Sequence, residues 1–292
     1  MTRVIQIAVP AITFVLMTVV GLSLTFGDFA AVRRRPAIVA AGLAGPVLLL
    51  PPIALILIRV FAPQPELRAG LLLVAVCPMG AISSTYTYLA RASAALSVTL
   101  TVLSCLAAFV TIPILSHALR MVLESPFGFA VPLPALVTQV LLMLTVPVAL
   151  GMLLRHVAPS FADLHENRLR VVGFGALALL LALVIADQRE WLLLHLSRIV
   201  LVAAAMTMAA LAAGLLVGWL CRAGRDDRFT LGVGIATRNV AIATAIAVTV
   251  LGRIQFAAFA TVYFLVEVPI MLAAIGIFRW TTPGPCAPSR SS

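Results

Sequence analysis

The chain has 292 residues, of which 63% are hydrophobic and only 10% charged, where a soluble domain carries about 25% charged residues. Too few charges remain to coat a water-exposed shell, so a soluble globule is excluded and the chain must lie mostly in lipid. The formal net charge is +10, a balance that in a soluble protein suggests nucleic acid. Here the 20 basic residues are all arginine and all but one lie in or beside the short breaks between apolar runs, so they report topology and no nucleic-acid partner is expected.

A helix needs roughly 20 apolar residues to cross a bilayer, whereas the strands of membrane barrels alternate apolar and polar residues over about 10. Continuous runs such as Gly175 to Ala186 therefore read as helices, and the fold class is all-α, a polytopic membrane protein. Charges and Pro/Gly clusters, taken as breaks, divide the chain into nine spans: 4–25, 37–61, 69–91, 95–120, 133–155, 171–187, 194–221, 229–252 and 254–280. The first is long enough to span and reads as a retained helix. Residues 281–292 form a Pro/Ser-rich tail expected to be disordered. The four cysteines, Cys77, Cys105, Cys221 and Cys286, show no metal-type spacing and read as free thiols.

An odd number of spans puts the termini on opposite sides, and arginine marks the cytoplasmic one. One side carries 12 arginines, among them Arg33, Arg34, Arg35, Arg91, Arg155 and Arg168, and the other 7. The N-terminus is therefore expected outside and the C-terminus in the cytoplasm, with the chain in the inner (plasma) membrane. Arg33, Arg34 and Arg35 read as a topology anchor near anionic lipid heads.

Two spans are interrupted in corresponding places, a pointer to a transport site. In the third, Cys77-Pro78-Met79-Gly80 breaks the apolar run, and Ser83, Ser84, Thr85 and Thr87 follow. In the eighth, Gly232-Val233-Gly234 is followed by Thr237-Arg238-Asn239 before the apolar pattern resumes at Val240. Unwound backbone at membrane depth is tolerated only where it is buried in protein or lines a wet cavity. Corresponding breaks suggest inverted repeats, roughly residues 30–120 and 190–280.

These residues carry a resemblance. Cys77-Pro78-Met79-Gly80, then Ser83-Ser84, Thr87-Tyr88-Leu89-Ala90 and Ala95-Leu96-Ser97-Val98, resemble the Cys-Pro-Gly-Gly, Ser-Asn, Thr-Tyr-Leu-Ala and Ala-Leu-Ser-Val series of the bile acid:sodium symporter family. The stretch Gly232 to Ala247 is similar to that family's second broken helix, and Gly21 to Phe29 to the loop after its first panel helix. The resemblance implies a nine-span form with a panel (4–25, 133–155, 171–187) beside a core (37–61, 69–120, 194–280) in one transporter unit, 1–280. The broken helices would cross in the core, with substrate bound near the crossing and moved by alternating access, in a protein expected as a monomer.

The resemblance also implies where sodium would sit. The first site falls on Ser83, Ser84, Ser97, Thr101 and Gly234, with Ser84 in place of an asparagine and Gly234 in place of the glutamate that holds both ions. The second falls on Pro46, Gly234, Ile235, Thr237 and Arg238, with Pro46 and Arg238 in place of glutamines. A fixed guanidinium about 5 Å from the ion, at an effective dielectric near 20, costs roughly 3 kcal/mol, over a hundredfold in affinity. The expectation is that the second site is absent and the first weak or absent, leaving Ser83, Ser84, Ser97 and Thr101 as a residual set.

An arginine inside a span requires a partner. Glu267, the sole acidic residue deep in any span, is expected to pair with Arg238 as a tether or a proton-sensitive switch. The alternative puts Arg238 at the interface and Glu267 in a wet vestibule. Arg238 could instead hold a substrate carboxylate, sulfonate or phosphate. Asn239 suits capping of the half-helix that follows, Tyr86 and Tyr88 read as aromatic packing rather than cavity lining, and Ser104 as a hydroxyl bonded to its own helix. The substrate-binding set is thus Ser83, Ser84, Thr87, Thr237, Arg238, Asn239 and Glu267. The expected function is secondary transport of an organic anion without sodium, the alternative being symport through the residual hydroxyls. No His-Glu-x-x-His or paired intramembrane aspartates argue for an enzyme, and no cofactor is expected.

Overall fold

The computed structural model describes residues 3–22, 35–61, 64–123 and 133–281. Most of the loop after Gly21, the tail beyond Thr281 and Cys286 lie outside the described residues. The described residues are almost all helical: α1 (Arg3–Leu22), α2 (Pro36–Phe61), α3 (Pro65–Val76), α4 (Ile82–Ala90), α5 (Ala94–Leu123), α6 (Leu133–Val140), α7 (Val146–Val157), α8 (Pro159–Leu220), α9 (Arg225–Ala236), α10 (Val240–Ala245) and α11 (Ile254–Trp280). A π-turn, Leu141–Thr145, joins α6 to α7, and another, Ile246–Val250, extends α10. Six stretches among the described residues are long and apolar enough to cross a membrane: Ile5–Leu22, Pro36–Phe61, Ala94–Ala118, Val137–Val157, Val171–Leu220 and Ile254–Trp280.

The longest element, α8, covers the expected sixth and seventh spans. Its 62 residues hold two helices that meet at a kink, with non-helical angles at Gln188 (φ −108°, ψ 15°), where the break between the sixth and seventh spans is expected. The kink lies in the polar run Asp187-Gln188-Arg189-Glu190, where the Gln188 amide bonds the neighbouring Asp187 carboxylate at 2.7 Å.

Two groups of helices pack separately before meeting. α1 lies against α7 backbone to backbone: a Cβ on Gly21 would strike the Val148 carbonyl, and one on Gly151 the Thr18 carbonyl. Small residues permit this approach where lipid supplies no hydrophobic force between helices. The second half of α8 packs on α9, α11 and α2, and α3 packs on α11 and α2. Arg35 pairs with Asp227 in the first turn of α9, so this arginine ties α2 to α9 rather than facing lipid heads alone.

Candidate functional site

α3 stops at Val76 because Cys77 precedes a proline, which steers it out of the helical region; Cys77 is extended at φ −65°, ψ 153°. α9 stops two residues later than Gly234. The helix runs through Gly232 and Gly234 to Ala236, and the unwound residues are Thr237, Arg238 and Asn239. The glycines serve contact rather than unwinding: a Cβ on Gly214 of α8 would lie 2.6 Å from the Gly232 Cα.

The two breaks meet backbone to backbone. Gly80 N–H donates to the Thr237 carbonyl at 3.0 Å and Asn239 N–H to the Pro78 carbonyl at 2.9 Å, an antiparallel bridge between Met79 and Arg238. Buried groups orphaned by unwinding are thereby satisfied. Gly80 is required by proximity, since a Cβ there would sit 2.8 Å from the Arg238 carbonyl oxygen. Asn239 caps α10, its Oδ1 accepting from Ile242 N–H at 3.2 Å, while its Nδ2 reaches Met17 Sδ of α1 at 3.7 Å. Ser104 does more than bond its own helix: its Oγ accepts the Met79 N–H at 3.1 Å and donates to the Thr101 carbonyl at 2.8 Å, holding one break in place.

The residual hydroxyls form one cluster. Ser83 Oγ lies 3.2 Å from Ser97 Oγ and 3.1 Å from Thr101 Oγ1, and Ser84 Oγ lies 3.5 Å from Ser97 Oγ. Thr87 Oγ1 bonds back to the carbonyls of Ser83 and Ser84. Gly234 supplies no carboxylate. The space a side chain would take there borders Met79, whose Sδ would be 3.3 Å from a Cβ at 234. Met79 itself is fully buried and stands where the resembled motif has glycine. The two replacements are complementary in volume, a link that neither position shows alone in the sequence.

Arg238 is 4% exposed and Glu267 0%, so both are buried in protein, with Arg238 bordering two cavities. Nor do their side chains pair: among the described residues no ion pair within 4.0 Å joins them, and Arg238 Nε and Nη1 have no hydrogen-bond partner. The titratable groups that interact electrostatically with the guanidinium are Tyr263, Cys77, Glu267 and Cys105. The Thr237 hydroxyl and the Arg238 backbone N–H both face the Glu267 carboxylate. Tyr263 on α11 donates to the Ala236 carbonyl at the end of α9.

A cavity of about 590 Å³ lies between α1, α7 and the first half of α8 on one side and the crossing, α4, α5 and α11 on the other. Of the expected substrate-binding residues, Ser84, Arg238 and Asn239 line it and Ser83, Thr87, Thr237 and Glu267 do not; of the residual sodium set, Ser84 and Thr101 line it and Ser83 and Ser97 do not. Tyr88, expected to pack, is 75% exposed and lines the mouth. A smaller cavity of about 330 Å³ lies behind the crossing among α2, α3 and α5, bordered by Pro46, Cys77, Ser104 and Arg238. No group of three His, Cys, Asp or Glu able to hold a metal occurs among the described residues, and Cys77, Cys105 and Cys221 are free thiols.

Known proteins share this sequence. Two relatives are probable sodium/metabolite cotransporters of rice chloroplasts: BASS2, 27% identical over 229 residues (78% of this chain, 53% of the relative), and BASS1, 30% identical over 175 residues (59% and 41%). An uncharacterized sodium-dependent transporter of Bacillus subtilis, YocS, is 35% identical over 101 residues (35% and 32%). The matched stretch thus covers about half or less of each of these three relatives. The model of the sodium bile acid symporter family matches residues 10–195, well over half of the chain. The chain belongs to the sodium bile acid symporter family.

Proposed function

We propose that the chain is a secondary transporter that moves an organic anion, a bile-acid-like amphiphile or a small carboxylate or sulfonate, by alternating access and without sodium. The observation that carries this reading is the crossing of two broken helices beside a cavity, with a buried guanidinium where the resemblance places the second cation. The broken pairs α3/α4 and α9/α10 each make one crossing of the membrane and α8 makes two, for nine in all. α1, α6 with α7, and the first half of α8 form the panel; the remaining helices form the core that moves against it.

The hydroxyls at the first ion position bond one another, no carboxylate stands at 234, and Arg238 supplies a permanent positive charge in place of a travelling one. These groups do not suit a hard cation that wants several oxygens. The cavity mouth, marked by Leu22, Tyr88 and Arg155, lies on the arginine-rich side. With the cytoplasm on that side, the N-terminus outside and the chain a monomer in the plasma membrane, this conformation is open inward. A second reading, sodium symport through Ser83, Ser84, Ser97 and Thr101, is favoured by the relatives' printed description as sodium cotransporters.

Counterflow in proteoliposomes, with labelled carboxylates and sulfonates and sodium replaced by choline, tests the proposal. Equal flux in both salts is expected. Flux only in sodium would favour the second reading, and no flux of any anion in either salt would end the transporter reading.

A further inference from the structure

Three helix ends gather at one rim of the molecule. α8 stops at Leu220, and Arg222, in the left-handed region at φ 51°, turns the chain toward α9 with its N–H on the Trp219 carbonyl at 3.0 Å. Arg225, the first residue of α9, reaches the last turn of α11. Its Nη2 donates to the Phe278 carbonyl at 2.8 Å and to Thr281 Oγ1 at 2.6 Å, and its guanidinium lies 4.5 Å over the Phe278 ring. A helix C-terminus favours a cation placed this way. Phe229, one turn further along α9, stacks on the same ring at 4.1 Å. Arg228 passes beside α8, where a Cβ on Gly218 would lie 2.8 Å from its Cα. The first turns of α9 thus bind the ends of α8 and α11 together.

The rim carries more positive charge than its acids meet. Arg222, Arg225 and Arg279 are exposed and Arg228 is half-buried. Among the described residues none of these four joins an ion pair within 4.0 Å, and Arg228 Nε has no hydrogen-bond partner. The first turn of α9 holds Asp226 and Asp227, but Asp227 is buried against Arg35, which leaves Asp226 as the exposed acid of that turn. Beside the arginines, Trp219 and Leu220 of α8 and Ile277 and Trp280 of α11 are exposed, Trp280 at 89%. They lie at the ends of the apolar stretches Val171–Leu220 and Ile254–Trp280. Tryptophan favours the boundary between lipid tails and headgroups, so the arginines stand at headgroup level.

We propose that this rim is a binding site for an acidic phospholipid. The headgroup phosphate is held by Arg222, Arg225 and Arg279, and the tails lie against the exposed apolar side chains of α8 and α11. Guanidinium forks match phosphate oxygens, and each arginine close to an anionic lipid surface favours the contact about fivefold. A zwitterionic lipid offers the same tails and phosphate without the net charge, so the site selects by charge. The proposal concerns a surface outside both cavities and is independent of the transport reading.

The test uses the full chain in phosphatidylcholine vesicles. The chain has three tryptophans, Trp191, Trp219 and Trp280, so Trp191→Phe with Trp219→Phe leaves Trp280 as the reporter at the rim. Lipid brominated in its tails quenches tryptophan on contact. Brominated phosphatidylglycerol is expected to quench Trp280 at a mole fraction at least roughly tenfold lower than brominated phosphatidylcholine, and adding Arg222→Gln and Arg279→Gln should remove most of that preference, at about fivefold for each charge. Arg222→Lys with Arg279→Lys keeps the charges, guards against misfolding of the first pair, and should hold the preference within about threefold, less than the loss of one charge. Equal quenching by the two lipids, a preference unchanged in the glutamine pair, or one lost as fully in the lysine pair would each overturn the proposal. Displacement of the brominated lipid by glycerol 1-phosphate, supplied on both faces of the vesicle, would also overturn it, since the site would then take free phosphate rather than lipid.

Discussion

The two places where the resemblance puts a cation differ in what stands there. At the first, Ser83, Ser84, Ser97 and Thr101 keep their hydroxyls and satisfy them with one another. At the second, the ligand set is replaced: Pro46 for an amide, Gly234 for a carboxylate, and Arg238 for the ion's own charge. A hydroxyl cluster is neutral, adaptable and worth about 1 kcal/mol per hydrogen bond. A buried guanidinium is a fixed charge that excludes any other cation by roughly 3 kcal/mol at about 5 Å. On the proposed reading, exclusion is set at the second place and the first is a remnant kept for packing.

Reversing the second place should have the largest effect. The triple variant Met79→Gly, Gly234→Glu, Arg238→Gln removes the charge, restores a carboxylate and clears the space that Met79 takes beside residue 234. Sodium is expected to bind over a hundredfold more tightly than to the wild type, from removal of about 3 kcal/mol of repulsion, and counterflow should become sodium-stimulated. Arg238→Gln alone should give a smaller gain, because no carboxylate follows it. If the triple variant folds and stays indifferent to sodium, the contrast between the two places is misdrawn.

Next in size is the crossing that both places share. Gly80→Val forces a side chain into the Arg238 carbonyl and should cost the upper part of the roughly 1–3 kcal/mol seen for overpacking, seen as a lowered thermal midpoint with loss of flux. Ser104→Ala leaves the Met79 N–H buried without its acceptor and should cost about 1–3 kcal/mol. The smallest effect belongs to the first place. Ser83→Ala should lower stability by about 1 kcal/mol and leave counterflow intact; loss of flux at unchanged stability would return that cluster to an ion-binding role.

The breaks were legible in sequence for unequal reasons. Pro78 fixes the end of α3 through its effect on Cys77, a local rule that any reader can apply. Gly232 and Gly234 gave a false position for the second break, because glycine in membrane helices serves close packing as often as unwinding; here the Gly214 contact decides. The unwinding at Thr237–Asn239 is imposed by pairing with Pro78 and Gly80, some 160 residues away in sequence, and no local signal encodes it. The expected Arg238–Glu267 pair rested on both residues being deep in spans, which burial bears out, but depth does not fix rotamers or helix facing. The role of Ser104 and the exchange between Met79 and Gly234 were not legible, since each depends on which helices cross.

Calorimetric titration of sodium into the purified wild-type protein, in choline-based buffer and lipid nanodiscs, tests the central claim most directly. The account predicts no saturable sodium heat from the wild type and a saturable one from the triple variant. Saturable sodium binding to the wild type that disappears in Ser83→Ala would contradict it.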